Sequence, residues 1–206
     1  DRIFIVAPQS GGAGNQVRAP WKLAEYLKTD YPQLEAVARL STGEAQLEAN
    51  GVPVSAEVAY AEPQFLRIFS LPFLAGDARS ALDAQRSAVV SAALAQKIFG
   101  TQGVVGRRLM VSGRESVTIT GVLDKIPQPS HLSTDTGGAG LTVNVEAIVS
   151  MDTHVALLNA LAPDQANQAF NRWSANWYVT YVMVPASGAV AARELNERAA
   201  QEHALL

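Results

Sequence analysis

EPQFLRIFSLPFLAGD (62–77), SAVVSAALAQKIFG (87–100), VVGRRLMV (104–111) and VTITGVLDKIPQPSH (117–131) set out an ordered series of small structural units. Pro63 opens a short helix in which Phe65, Leu66, Ile68 and Phe69 are too apolar to face water; Pro72 ends it, and Gly76-Asp77 turns the chain. Ala88 to Val90 reads as a brief buried strand. Ser91 stands where its hydroxyl can accept from an orphan N–H of the helix Ala92 to Phe99, and Gly100 is placed as the left-handed stop. Gly103 and Gly106 frame a turn into the strand Arg107 to Val111, which Ser112-Gly113 folds back onto Val117 to Leu123. Val117, Ile119 and Gly121 share one face of that strand, and Pro127 and Pro129 stop it. These are caps, turns and stops. Ser91 lacks the G-x-S-x-G surroundings of a hydrolase nucleophile, so capping is its role.

Toward the N-terminus, Arg2 to Ala7 reads as a strand that stops at Pro8. The Gly-rich run 10–15 lacks the Lys-Ser/Thr pair of a phosphate-binding loop and reads as a flexible connection. Pro20 suits the first turn of a helix whose apolar face is Trp21, Leu23, Ala24 and Leu27, up to Lys28. Leu34 to Ala49 is strand-like, Asn50-Gly51 is a two-residue hairpin turn, and Val52, Val54, Ala56 and Val58 alternate on the return. The first sixty residues thus read β-α-β-β. Toward the C-terminus, Ser133 to Gly140 is polar and Gly-rich, as a surface loop is. Val143 to Ser150 is a strand, Asp152 caps a helix through Leu161, and Pro163 starts a second. Trp173 and Trp177 lead into a strand with Trp177, Val179, Tyr181 and Met183 on one face and Tyr178, Thr180, Val182 and Val184 on the other. Ala189 to Glu202 forms a terminal helix with Val190, Leu195 and Ala199 inward.

The pattern predicts an α+β fold: a ferredoxin-like lobe split between 1–62 and 172–206, with a second, smaller α/β lobe, 63–171, inserted into it. First strand and last helix then share a lobe, the geometry of a domain inserted into another protein.

The totals narrow the function. In 206 residues, a net charge of -3 leaves no electrostatic footprint for nucleic acid. Without cysteine there is no disulfide framework, thiolate metal site or cysteine nucleophile. No run of 18 apolar residues spans a bilayer, and the start at Asp1 suggests a mature protein or a soluble piece of something larger. His131 and Asp135, with Asp124 upstream, are residue types that bind metals or move protons. No H-x-x-x-H or second ligand pair supports a site there, and nothing in the spacing joins His131 to His154 or His203.

In its order of segments the chain resembles the MacB/FtsX-type family. The aromatic-rich stretch ending in Gly-Asp (63–77) and the segments 87–100, 104–111 and 117–131 are similar to that family and follow in its order. DRIFIV looks like the segment after its first transmembrane helix, and WYVTYVMV like its returning strand. The resemblance implies the periplasmic core domain of an ABC transporter permease, with a porter-type outer lobe, in the bacterial inner membrane and facing the periplasm. It implies partners in the permease's own transmembrane helices, a cytoplasmic ABC ATPase, a second permease copy or paralogue, and a periplasmic adaptor as a candidate. It implies no catalytic, cofactor-binding or metal-ligating residue in this chain, which has no Walker A sequence. The loops 10–18 and 132–140 are candidate contact surfaces. Two other functions stay open from the residues: a secreted small-ligand-binding or hydrolytic module using Trp173, Trp177 or the His131 loop, and a free-standing regulatory domain.

Overall fold

The computed structural model describes residues 2–7, 17–126 and 146–186. Along them run β1 (Ile3–Val6), α1 (Trp21–Asp30), β2 (Ala36–Ala49), β3 (Val52–Ala61), α2 (Gln64–Ile68), β4 (Phe73–Gly76) and β5 (Ser87–Ser91). There follow α3 (Ala92–Phe99), β6 (Arg108–Val111), β7 (Glu115–Leu123), β8 (Ala147–Ser150), α4 (Met151–Leu161), α5 (Pro163–Asn171) and β9 (Val179–Met183).

The longest ladder follows from its turn. Asn50 and Gly51 both take positive φ (54° and 75°), the two-residue geometry whose twist matches the flanking strands. It pairs Ala49 with Val52 and, nine rungs later, Leu40 with Ala61. Fourteen residues make β2 about 45 Å long, enough to serve two neighbours along one edge. Its first residues pair with β9, which pairs with β1, while Leu47 and Glu48 pair with Val111 and Met110 of β6. β7 is divided likewise, between β6 at Glu115–Thr118 and β4 at Gly121–Leu123. β8 joins β3 in parallel and β5 in antiparallel, and β5 joins β7 in parallel. The order β1-β9-β2-β3-β8-β5-β7-β4 is thereby closed by β6 into a ring of six strands, β2-β3-β8-β5-β7-β6.

The central strands are buried on both faces, as near-continuous apolar runs require. Val58, Tyr60, Ala88, Val90, Ala147 and Val149 point to one core, with Leu47, Leu109, Val117, Ile119 and α3 and α4. Ala59, Ala61, Val89 and Ile148 point to a second, covered by Phe65, Leu66 and Ile68 of α2. Leu23, Ala24 and Leu27 of α1 close a third over Val37 and Val182.

The α+β class holds, and the strands of 63–171 add to the sheet of the outer segments through β8 on β3 and β6 on β2. Other differences have local causes. α2 ends at Ile68, before Pro72, because Phe69 turns to extended backbone and sets its ring 5.0 Å from that of Tyr181. Asp152 does not cap α4; its Oδ2 accepts from Arg86 N (3.0 Å) instead. Trp177 leaves the face of Val179 and Tyr181, because Trp177 N donates to Ala175 O in a turn before β9 begins. The expected helix 189–202 and the loops 10–16 and 133–140 lie outside the described residues.

Candidate functional site

Two buried clusters sit where β2 passes from β9 toward the ring. The first is charged. Both Leu40–Ala61 and Ala49–Val52 have residue numbers summing to 101, so one further rung sets Arg39 opposite Glu62. Glu62 N donates to Arg39 O (3.2 Å), and Arg39 N donates to Glu62 Oε2 (2.9 Å). Arg39 Nη2 reaches Glu62 Oε1 at 2.7 Å, and Lys28 Nζ of α1 reaches the same oxygen at 2.9 Å. Arg39 is 6% exposed and Glu62 9%. Burial alone would raise the Glu62 carboxyl; the hydrogen bond and charge of Arg39, with those of Lys28, outweigh it and hold the group below its ordinary value. The guanidinium also lies over the Trp21 ring, 3.5 Å from its centroid, and Arg39 Nη1 donates to Trp21 O (3.2 Å). The cluster pins α1 to the β2–β3 ladder.

The second cluster is aromatic. Trp21 meets Phe170 of α5 edge-on at 4.8 Å and Tyr178 at 5.1 Å. Beyond Tyr178, His154 of α4 packs against Tyr60 of β3. Such edge contacts suit the ring quadrupoles. Burial pushes the His154 imidazole down to about 4 and the Tyr60 phenol up to about 12. The chemistry on offer is cohesion: charges already matched and rings already packed against one another.

The family model described as the MacB-like periplasmic core domain matches residues 1–202. The chain belongs to this family. As a MacB-like periplasmic core domain it is the extracytoplasmic part of a MacB-type ABC transporter permease, a domain type that is not itself catalytic and carries no cofactor. Its fold is similar to a domain assigned as a permease protein from Porphyromonas gingivalis: TM-score 0.71, 21% identity, over 100% of this chain and 84% of that one. It is similar to the periplasmic region of MacB from Actinobacillus actinomycetemcomitans: TM-score 0.63, 12% identity, over 98% and 84%. It is also similar to the extracellular domain of the noncanonic ABC-type transporter YknZ from Gram-positive bacteria: TM-score 0.55, 16% identity, over 96% and 93%. No curated protein sequence matches the chain. Among the described residues, no helix is long and apolar enough to cross a membrane.

Within this MacB-like domain the residues weighed for chemistry go elsewhere. Ser91 caps α3, its Oγ accepting from Leu94 N (3.1 Å), and Gly100 takes φ 69°. Trp173 and Trp177 are half-buried, Trp173 packing on the α1 core and Trp177 on the ring core. Asp124 is exposed and accepts from Lys125 N (2.7 Å); His131, Asp135 and His203 lie outside the described residues. Among the described residues no three His, Asp or Glu side chains gather as a metal site. A surface cleft of about 630 Å³ beside α2 is lined by neither Trp nor His, and Arg67 faces Asp83 across it at 3.4 Å. The Arg39–Glu62 pair was absent from the sequence reading, although the signal existed: single charges inside the apolar runs AVARL (36–40) and AYAE (59–62), brought together by the hairpin register. His154 carried no such signal, since its partners come from distant stretches of chain.

Proposed function

We propose that this domain is a stiff transmitting body, carrying movement of the permease's transmembrane helices, driven by a cytoplasmic ABC ATPase, to export or mechanical work in the periplasm. The observation that carries the reading is β2. One unbroken strand pairs with β9 at one end and closes the six-stranded ring at the other, and the Arg39–Glu62–Lys28 cluster pins a helix across it. A displacement applied at the β1–β9 edge therefore passes along continuous hydrogen-bonded strands into the ring, as in a rigid-body transition. In this reading 1–62 and 172–206 form the porter-like outer lobe and 63–171 the inserted one. The loops 10–18 and 132–140 would meet a second permease copy, a paralogue or a periplasmic adaptor, on the periplasmic side of the inner membrane.

The ring closure can be tested with a lock. Glu48 and Met110 are facing partners on antiparallel strands, at a spacing a disulfide can bridge, and the chain has no other cysteine to compete. In the whole permease with its ATPase, oxidised E48C/M110C should turn over ATP and support the cellular phenotype as well as the reduced form. Loss of either that reductant restores would mean that the ring opens during the cycle and the body is not stiff.

A further inference from the structure

His154 stands in the first turn of α4 with its ring against Tyr60 of β3 (centroids 4.8 Å apart, planes at 36°) and edge-on to Tyr178 ahead of β9 (5.8 Å, 79°). Its Nε2 lies 3.3 Å from the Tyr178 hydroxyl. Three separated stretches of chain thus meet on one imidazole. Behind Tyr178, Trp21 of α1 links the cluster to Phe170 of α5. We propose that His154 makes this seam an acid-released joint: the α4–α5 layer is clamped to β3 and β9 while the ring is neutral and loosens when the ring takes a proton.

Among the described residues, the groups that pack around the ring supply no unpaired anion to balance a charge on it. β3 presents Tyr60, and the approach to β9 presents Tyr178, with the positive Arg39 close enough to act on that phenol. Burial raises both phenols to about 12, so neither supplies a phenolate to balance an imidazolium. β8, Ala147–Ser150, contributes no titratable side chain. On β7, Glu115 is paired with Arg86 at 3.2 Å. On α5, Asp164 is exposed, and on α4 itself Asp152 accepts from Arg86 N. The orphan N–H groups of the α4 first turn add partial positive charge beside the ring.

The sign follows from burial, which lowers the imidazole from 6.5 to about 4. An opened seam returns the ring to water, where it binds its proton near 6.5, so acid favours the open form. The closing contribution is complete above about 6.5, falls as pH drops toward 4, and changes no further below that. The full effect is on the order of 100-fold in the opening equilibrium, since the ring keeps some contact with water. The inference rests on packing within this chain and stands or falls apart from the transmission reading.

Amide hydrogen exchange of the 206-residue chain between pH 7.5 and 4, corrected for the intrinsic pH dependence, reads the joint. The wild type should lose protection in 151–171 on the order of 100-fold across that range, while the β2–β3 hairpin stays protected. H154F, which keeps an aromatic ring, and H154Q, which keeps a polar group, should hold 151–171 protected throughout. Protection in the wild type that ignores pH, that falls equally in hairpin and helices, or that falls equally in both variants overturns the proposal. If neither variant folds at pH 7.5, the wild-type ring decides by NMR. Titration near 4 in step with loosening of 151–171 supports the joint, and titration near 6.5 overturns it.

Discussion

Replacing Glu62 with Gln keeps the shape of the side chain and removes its charge, and the cost can be worked from the structure. The carboxylate takes three donors, Arg39 Nη2 (2.7 Å), Arg39 N (2.9 Å) and Lys28 Nζ (2.9 Å). A carboxamide has one carbonyl oxygen to offer them, so the Arg39 guanidinium stays buried with its charge poorly matched. Glu25, its other anion, is more distant at 3.5 Å and mostly solvated. Breaking a buried pair from one side costs about 3–5 kcal/mol. Lys28 is 39% exposed, so its share is screened, and about 3 kcal/mol is the expected loss for E62Q. With a urea slope of about 2 kcal/mol per molar, the unfolding midpoint should fall by about 1.5 M at pH 7. Removing both charges, as R39M/E62L, should cost much less than the two single changes added together, because no buried charge is then stranded. The pH dependence has a defined sign. The folded Glu62 carboxyl lies below its ordinary 4.5, so its contribution is present above about 4.5 and is lost as pH falls through the lower folded value. E62Q should lack that part of the acid limb. An unchanged E62Q midpoint, or single effects that simply add in the double variant, would refute the reasoning.

Two glycines with similar backbone should differ in their tolerance of a methyl group. Gly76 (φ 87°) would bring a Cβ against Thr120 O and within 2.8 Å of Gly121 Cα, both backbone where β4 meets β7, so Gly76→Ala should cost about 3 kcal/mol or more in urea unfolding. Gly100 (φ 69°) has open space around it, and Gly100→Ala should cost only about 1–2 kcal/mol of left-handed strain. Ser91→Ala removes the hydroxyl that accepts from Leu94 N and should cost about 1 kcal/mol, with Ser91→Thr recovering most of it.

Features set by neighbours in sequence were legible before the structure. The Asn50-Gly51 turn, the alternation of its return strand, and the Ser91 and Gly100 ends of α3 are all decided within a few residues. What escaped depends on pairing between distant stretches. The ring closes on two rungs, Leu47–Val111 and Glu48–Met110, which no local pattern announces. Trp177 fits the alternation of the strand ahead of it, but the turn at Ala175 breaks the period before β9 begins. The Arg39–Glu62 pair was within reach, because a two-residue turn fixes which positions face each other along the whole hairpin. His154 was not, since Tyr60 and Tyr178 reach it only after β3, β9 and α4 have assembled.

Stiffness of the domain during the ATP cycle is the central claim, and a distance measures it directly. Spin labels at Thr29→Cys on α1 and Lys97→Cys on α3, both exposed, span the outer and inserted segments. In the whole permease, with its ATPase empty and with nucleotide trapped, the distance within one domain should stay the same while the distance between domains of two permease copies changes. A within-domain distance that shifts with nucleotide would contradict the account.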